Sequence, residues 1–477
     1  MDAVRADHLS CYGYHRKTSP NIDRLAKEGV LFERVFSTAE WSYPSHASIF
    51  TGKYPSYHKT LGKDIYLHKE NTTIAEILSR NGYQTIGVSG NDLLSPINGF
   101  SKGFQKYFVF DIPPKIQSAF RFIKQSPKDF ARTFIYGRDG YTYRNINKVK
   151  DFLKNCKKEE PFFLFTNIYN CHAPYNPPRP FKKDFCNSLS VPPFYITEFF
   201  FHMIFGHPGG KIPGFDVRKL NRIANERGQY SFIAGELQVS EEEWEVVKSW
   251  YDGEISYLDY RIGELIDFLK RKGIFENTLL IITSDHGENF GEHGLASHQF
   301  CLYDSLIHVP LIMVYPNVIP RGTKISNLAS HIDIFPTILD LLSIKEYRHG
   351  VQGKSLFPFE DRKIHDFICA ECGESVRSRL VGSTLSPKLK AYDQGYKCLR
   401  TEQYKYIISA DQKEELYNIE KDPLEKVNIT GKYPDKTKYF KKQLENTIDI
   451  SFFGPKEFPA TKEREEIIKR LRSLGYI

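Results

Sequence analysis

The sequence predicts an α/β fold, because apolar strands alternate with amphipathic helices along most of the chain. Three observations support this prediction. The run Leu279-Leu280-Ile281-Ile282-Thr283 has the composition of a buried strand, and a turn containing Gly287 follows it. A long amphipathic helix, Glu241 to Lys270, precedes that run. Beyond about residue 360 the alternation gives way to two β-rich segments, so we expect a smaller α+β unit at the C-terminus.

The length of 477 residues is sufficient for one large domain and one small one, and the hydrophobic content of 40% is sufficient for a large core. We assign residues 1–360 to the main domain. Residues 361–477 are assigned to the smaller unit, with a small antiparallel sheet and a terminal helix. Residues 180–240 are rich in Pro, Phe and Gly and have little periodicity, which predicts an insertion or lid over the sheet edge, with partial disorder as the alternative.

Charge and cysteine usage limit the function classes. The net charge of +8, from 66 basic and 58 acidic residues, favours anionic substrates only weakly and gives no case for nucleic acid. No run is long and apolar enough to predict a transmembrane segment. Eight scattered cysteines predict a reducing compartment, so we expect a cytoplasmic protein. Asp2 is an acidic residue of the kind that usually follows a strand, and no strand precedes it in this sequence. We therefore also expect an incomplete N-terminus. A secretion signal could lie in the missing part, so secretion stays an alternative.

The remaining elements follow from periodicity, caps and turn residues. Helices are predicted at Ser19 to Ala26, Thr72 to Asn81, Val149 to Asn155, Ile332 to Leu342 and from about Thr461. Strands are predicted at Phe32 to Phe36, Thr85 to Val88, Phe162 to Ile168, Val309 to Tyr315, Cys398 to Ile408 and Glu415 to Ile419. Because strands and helices alternate, their carboxyl ends are expected to share one edge of the sheet.

Candidate catalytic and metal-binding side chains are predicted at the carboxyl ends of these strands. Asp2, His172 and the pair Asp285-His286 are each expected at a strand end, and the strand before Asp2 is expected in the missing N-terminal part of the chain. Ser42 opens an apolar segment, where it either presents its hydroxyl and backbone N–H groups to an anion or acts as an ordinary helix cap. Each position alone has a structural explanation. Together they predict a metal-assisted group-transfer site.

The same residues lie in motifs that resemble those of the sulfatase family of the alkaline-phosphatase superfamily. The motifs, in chain order, are Asp2-Ala3-Val4-Arg5-Ala6-Asp7, Ser19-Pro20-Asn21-Ile22-Asp23, Ser42-Tyr43-Pro44-Ser45-His46-Ala47-Ser48, His172-Ala173-Pro174, Ser284-Asp285-His286-Gly287-Glu288 and a tail that includes Leu416-Tyr417 and Asp422-Pro423. The resemblance implies a three-layer αβα sandwich like that of alkaline phosphatase, over residues 1–360. It also implies a metal-dependent hydrolase of sulfate esters.

The resemblance assigns roles to individual residues. Asp2, Asp285 and His286 match metal ligands, and one divalent cation is implied, with Ca²⁺ as the first expectation and Mg²⁺ or Mn²⁺ as alternatives. Ser42 matches the nucleophile, which the family oxidises to formylglycine. His172 matches the histidine beside the ester oxygen, where an imidazolium would protonate the leaving alcohol. Two further histidines, His46 and His298, are expected to donate to the developing charge, and Asn91 to the bound anion.

Three departures from the family pattern leave alternatives open. Ala3 replaces a second metal-binding aspartate, and His46 replaces an arginine of the maturation motif. The lysine that the family has after the strand near residue 88 is absent, and Ser89-Gly90-Asn91 lies there instead. Oxidation of Ser42 therefore stays open. One alternative is a phosphodiesterase, phosphonate hydrolase or phosphoglycerol transferase with unmodified Ser42. Another is an inactive homologue that binds anions or carbohydrate. A sulfated carbohydrate is a candidate substrate, and the oligomeric state is not predicted.

Overall fold

The computed structural model of the chain describes residues 1–61, 66–110, 141–157, 159–178, 180–181, 212, 214–345, 350–373 and 386–449. In these ranges the helices are Pro20–Glu28 (α1), Ser42–Thr51 (α2), Pro55–His58 (α3), Ile74–Arg80 (α4), Thr142–Asn155 (α5), Val217–Ile223 (α6), Glu226–Ile233 (α7), Glu241–Lys272 (α8), Asp304–Ile307 (α9), Ile334–Leu341 (α10), Pro387–Tyr392 (α11) and Pro434–Thr447 (α12). The strands are Val30–Phe36 (β1), Gln84–Ser89 (β2), Lys106–Val109 (β3), Phe162–Asn167 (β4), Leu280–Thr283 (β5), Asn289–Phe290 (β6), Ala296–Ser297 (β7), His308–Val314 (β8), Thr323–Ser330 (β9), Ile368–Cys372 (β10), Tyr396–Arg400 (β11), Tyr404–Ser409 (β12) and Glu414–Asn418 (β13).

Two sheets form the centre of the main domain. One has the order β5-β8-β1-β9, with β8 antiparallel to its neighbours and β1 parallel to β9. The other has the order β3-β2-β4 and is entirely parallel. The N-terminal residues connect them: the backbone nitrogen of Asp2 donates to the Ile168 carbonyl (3.0 Å), and that of Asp285 donates to the Met1 carbonyl (3.2 Å). Asp2 is thereby fixed between the ends of β4 and β5.

Alternating side chains of β1 separate the two faces of the sheet, as the two-residue period of a strand requires. Val30 and Phe32 pack in a core with residues of α4 and α10. Leu31 packs on the opposite face with residues of α1, α5 and α8. The helices therefore cover both faces, and the predicted three-layer αβα architecture is confirmed.

Helix α8 is the longest of the described helices, and its sequence explains both ends. The Ser240 side chain accepts from the Glu243 backbone N–H, and the Glu243 side chain accepts from that of Ser240. Such a capping box stabilises a helix start by about 1 kcal/mol. Gly273 ends the helix with a φ of 68°, a conformation that costs glycine little. Its buried face packs against α1 and α5, and this packing supports the sheet beneath the site.

The C-terminal part contains the antiparallel sheet β10-β11-β12-β13, against which α12 packs. The predicted strand Cys398 to Ile408 was wrong in extent, because β11 and β12 are two strands of a hairpin. At the turn between them, the Thr401 hydroxyl donates to the Tyr404 carbonyl and accepts from the Tyr404 backbone N–H. The helix predicted from Thr461 lies outside the described residues. The domain boundary near residue 360 stays a prediction.

One further sequence prediction is refined. Within the predicted insertion, residues 182–211 lie outside the described residues, whereas residues 214–240 contain the helices α6 and α7 rather than an aperiodic segment. Within the described ranges, no helix combines the length and the apolar character that crossing a bilayer requires.

Candidate active site

The predicted site residues meet at the carboxyl ends of β2, β4 and β5. Asp2, Asp285 and His286 each offer a ligand atom, and these atoms lie within 4.8 Å of one another. All three side chains are buried. Within the described structure Asp2 Oδ1 and Asp285 Oδ2 have no hydrogen-bond partner. Buried polar atoms are normally paired, so two such carboxylate oxygens beside an imidazole fit a bound cation.

The other atoms of this cluster hold the ligands in place. Asp285 Oδ1 accepts from the backbone nitrogens of Ala3 (3.1 Å) and His286 (2.9 Å). His286 Nδ1 donates to the Gly287 carbonyl at 2.8 Å, because a carbonyl can only accept. This leaves Nε2 of His286 as the ring nitrogen available for a metal. Supporting bonds of this kind fix the orientation of metal-bound side chains.

The charges of the cluster are strongly coupled. Burial and the nearby Asp285 raise the pKa of Asp2. Burial also acts to raise the pKa of Asp285, but His286 and His46 outweigh it and hold that pKa well below its usual range. Burial acts to lower the pKa of His286, but the two aspartates raise it overall. The site therefore attracts positive charge, as a cation site must.

Ser42 lies directly beside the cluster. It is the first residue of α2, and the residue in the cap position is Trp41, so the helix-cap alternative for Ser42 is wrong. Ser42 Oγ is 3.4 Å from both Asp2 Oδ2 and His286 Nε2. The Asn91 side-chain amide donates to Asp2 Oδ2 (3.1 Å) and to Ser42 Oγ (3.3 Å). The hydroxyl is thus placed between the predicted ligands and a predicted substrate donor.

His46 lies one helical turn after Ser42. Its Nδ1 donates to the Ser42 carbonyl (2.8 Å) and lies 3.6 Å from Asp285 Oδ2. Burial lowers the pKa of His46 to about 4. The ring is therefore neutral near pH 7, and it brings no positive charge in place of the arginine that the family pattern has there.

His172 and His298 lie together on the other side of His286. Their ring centroids are 4.7 Å apart, and the rings of His286 and His298 are 4.5 Å apart. Burial lowers the pKa of His172 to about 4 and that of His298 well below its usual value. The structure thus favours neutral rings, in contrast to the imidazolium expected for His172 from the sequence.

Two residues of the site were not predicted. Asn167 ends β4 and donates to Asp2 Oδ2 at 3.1 Å. Its polar side chain near the end of a predicted strand could have indicated a site residue, because ligands of α/β proteins bind at the carboxyl ends of the strands. Glu226, the first residue of α7, lies 3.6 Å from His172. No local signal marks it, since its position depends on tertiary packing alone.

Buried carboxylates, an imidazole and a hydroxyl at one edge of an αβα sandwich fit the active site of a hydrolase that binds a cation. Comparison with protein families agrees: residues 1–344 match the sulfatase family, and residues 291–450 match the C-terminal region of N-sulphoglucosamine sulphohydrolase. The chain belongs to the sulfatase family. It is a sulfuric ester hydrolase, as the sequence predicted.

Individual relatives are distant but cover nearly the whole chain. An N-acetylglucosamine-6-O-sulfatase of Bacteroides thetaiotaomicron is 24% identical, over 92% of this chain and 83% of its own length. The phosphonate monoester hydrolase of Agrobacterium radiobacter has a TM-score of 0.70 at 21% identity, over 94% of each chain. A protein solved with its substrate D-glucosamine-2-N,6-O-disulfate has a TM-score of 0.68 at 21% identity, over 98% of this chain and 97% of its own. The two structures establish the fold.

Proposed function

We propose that this sulfatase removes sulfate from a sulfated carbohydrate, with the side chain at position 42 as the attacking group. The position of Ser42 Oγ, 3.4 Å from both Asp2 Oδ2 and His286 Nε2, is the observation that carries the proposal. The sugar substrate is supported by the N-acetylglucosamine-6-O-sulfatase and by the protein that binds a glucosamine disulfate. The small net positive charge of the chain suits an anionic substrate.

Asp2, Asp285 and His286 would hold one divalent cation. Two carboxylates and one imidazole form an oxygen-rich set, for which Ca²⁺ is the first expectation and Mg²⁺ and Mn²⁺ are alternatives. When bound, a cation lowers the repulsion between an anionic ester and its nucleophile. The amides of Asn91 and Asn167 bring neutral donors to the same place, so they orient oxygens without adding charge.

The chain's own groups account for the first step. Ser42 Oγ forms a bond to sulfur while the bond between sulfur and the sugar oxygen breaks. The hydroxyl proton passes to Asp2 Oδ2, which already accepts the Ser42 hydrogen bond. The sugar oxygen takes a proton from solvent and leaves as the alcohol. Water then attacks the sulfur, Asp2 Oδ2 returns its proton to Ser42 Oγ as the bond between sulfur and serine breaks, and sulfate leaves while both protons of the water pass to solvent.

The chemical state of position 42 needs a direct measurement. Mass spectrometry of the tryptic peptide that contains Ser42 detects formylglycine as the loss of two hydrogen atoms from the serine. An oxidised side chain would attack through the hydroxyl of its hydrated aldehyde. An unmodified serine would instead favour the mechanism given above.

Activity is tested with purified protein in Ca²⁺, by measuring sulfate release from glucosamine 6-sulfate and from an aryl sulfate. We expect Ser42→Ala to lower kcat/KM by about 10³-fold or more, as loss of a nucleophile does. Ser326→Ala is the control, because Ser326 lies on β9 and contacts Asp361. No sulfate release by the wild type would contradict the proposal.

A second candidate is a phosphonate or phosphodiester hydrolase that uses unmodified Ser42. His46 favours it, because this residue interrupts the sulfatase maturation motif. Aryl phosphodiester and phosphonate substrates in the same assay separate the two candidates. Turnover of these substrates without sulfate release would favour the second. An inactive binding protein would turn over none of them.

A further inference from the structure

Charged side chains of the C-terminal sheet hold the start of helix α9. Lys405 of β12 donates to Asp304 Oδ1 at 2.7 Å, and Arg400 at the end of β11 donates to Asp304 Oδ2 at 3.2 Å. Glu425, which follows β13, accepts from the Asp304 backbone N–H at 2.6 Å and lies 2.8 Å from the Lys405 ammonium. Two basic groups and two carboxylates thus meet where the C-terminal sheet contacts the main domain.

This group of charges is shielded from water. Lys405 is fully buried, and Arg400 and Glu425 are nearly so. Burial acts to raise the pKa of Asp304, but Lys405 and Arg400 outweigh it and hold that pKa well below its usual range. Removing one partner of a buried ion pair leaves the other charge uncompensated, so such a contact is costly to break. The start of α9 is therefore fixed firmly against β12.

Helix α9 in turn holds the backbone that follows the ligand pair at the end of β5. The backbone nitrogen of Gly287 donates to the Leu306 carbonyl (2.7 Å), and that of Glu288 donates to the Ser305 carbonyl (3.1 Å). A Cβ at position 287 would lie 2.0 Å from the Ser305 carbonyl oxygen, so only glycine allows this close approach. The segment after β5 is thus packed directly on α9.

The same glycine orients a predicted metal ligand. The Gly287 carbonyl accepts from His286 Nδ1 at 2.8 Å, which leaves Nε2 of the ring for the cation. The position of Gly287 therefore sets the orientation of the ring, and α9 sets the position of Gly287. Loss of a bond that supports a metal-bound histidine typically lowers metal affinity 10- to 100-fold. A continuous series of contacts thus joins Lys405 to the cation site.

We propose that Lys405 and Asp304 are positioning residues for the cation site, through which the C-terminal sheet sets the affinity of the enzyme for its metal. The proposal rests on the proposed function only in the assignment of Asp2, Asp285 and His286 as ligands. Without the ion pair, α9 is free to shift and the histidine ring loses its fixed orientation. The cation still binds, but more weakly, so a high cation concentration restores activity.

The test measures calcium affinity, by calorimetric titration of the full chain after metal has been removed with chelator. Lys405→Met, which nearly keeps the length of the side chain and removes its charge, should bind calcium about 10- to 100-fold more weakly than the wild type. Lys397→Met is the matched control, because Lys397 is a similarly buried lysine of the same sheet, whose partner Glu371 accepts from Ser56 of α3. The control should lose stability in urea and keep its calcium affinity.

A double-variant cycle distinguishes positioning from a general loss of stability. If the two residues act as a pair, Asp304→Asn should lower calcium affinity to a similar extent, and the variant with both changes should lose little more than either single variant. Sulfate release by each single variant should fall at limiting calcium and recover at saturating calcium. Unchanged calcium affinity in folded Lys405→Met or Asp304→Asn would overturn the proposal, as would fully additive losses.

Hydrogen exchange of the wild type needs no variant. Because coupling is reciprocal, bound calcium should slow exchange in α9 and β12 more than in α12, which packs on the opposite face of the C-terminal sheet. Equal protection of the three elements would overturn the proposal. A wild type that binds no calcium would refute both the cation site and this proposal. Calcium binding that ignores Lys405 would refute only this proposal, whereas Lys405-dependent binding without sulfate release would refute only the proposed function.

Discussion

Position 3 offers a sharp test of the cation site, because Ala3 lies where the family pattern has a second metal-binding aspartate. Ala3 is fully buried, has a φ of 56°, and donates its backbone N–H to Asp285 Oδ1. This left-handed conformation costs an alanine about 1 kcal/mol, and Asn and Asp tolerate it better. Two variants of similar shape, Ala3→Asn and Ala3→Asp, separate this backbone effect from the effect of charge.

The two variants are expected to diverge according to the metal. In chelator, Ala3→Asn should gain up to about 1 kcal/mol of unfolding free energy from the backbone. Ala3→Asp should instead lose about 2 to 4 kcal/mol, because a buried, uncompensated charge costs about 3 to 5 kcal/mol and the backbone gain offsets part of this. In saturating Ca²⁺ the gap in unfolding free energy between the two variants should narrow, by about 1.4 kcal/mol for each tenfold by which Ala3→Asp binds calcium more tightly.

Urea unfolding in chelator and in millimolar Ca²⁺ gives both free energies, and calorimetric titration gives the calcium affinity. Ala3→Asp should bind calcium at least about tenfold more tightly than Ala3→Asn, as an added carboxylate ligand does. If the two variants respond identically to calcium, the side chain at position 3 does not face the cation.

Two further predictions follow from contacts around the site and in the core. Asn167→Ala removes the donor to Asp2 and should lower metal affinity about 10- to 100-fold, as loss of a supporting bond does, whereas Asn155→Ala on the exposed end of α5 should leave it unchanged. Burial lowers the pKa of His58 to about 3. Its folded pKa lies below the unfolded value near 6.5, so its contribution to stability is complete above pH 6.5 and falls by up to about 1.4 kcal/mol per pH unit below it. Urea unfolding at pH 7.5 and 5 should show a smaller loss for His58→Gln than for the wild type, and equal losses would refute the assignment.

The sequence predicted the part of the site that follows from strand ends and the family's motifs. Asp285 and His286 directly follow an apolar strand, so their place at the sheet edge follows from local pattern. Asp2 reaches them because Met1 and Asp2 pair with both sheets. That pairing is tertiary, and without the motif resemblance nothing in the local sequence joins residue 2 to residue 285.

The other features of the site depend on tertiary packing, which leaves no periodic pattern in the sequence. Glu226 begins α7 in a region where periodicity is weak, and only the position of that helix against the sheet brings it to His172. The protonation of His172 was equally beyond the sequence. The sequence led us to expect an imidazolium near neutral pH, whereas burial lowers the pKa of His172 to about 4. Both points concern what surrounds a side chain rather than which side chain is present.

The three departures from the family pattern all change the charge of the site. Ala3 removes one negative charge from the site, while His46, neutral when buried, and Asn91 remove two positive charges. The site is thus less positive by one charge than the pattern it resembles, although its substrate remains an anion. A divalent cation held by Asp2, Asp285 and His286 would then supply most of the positive charge beside the substrate, and its removal by chelator should weaken the binding of any anionic ester.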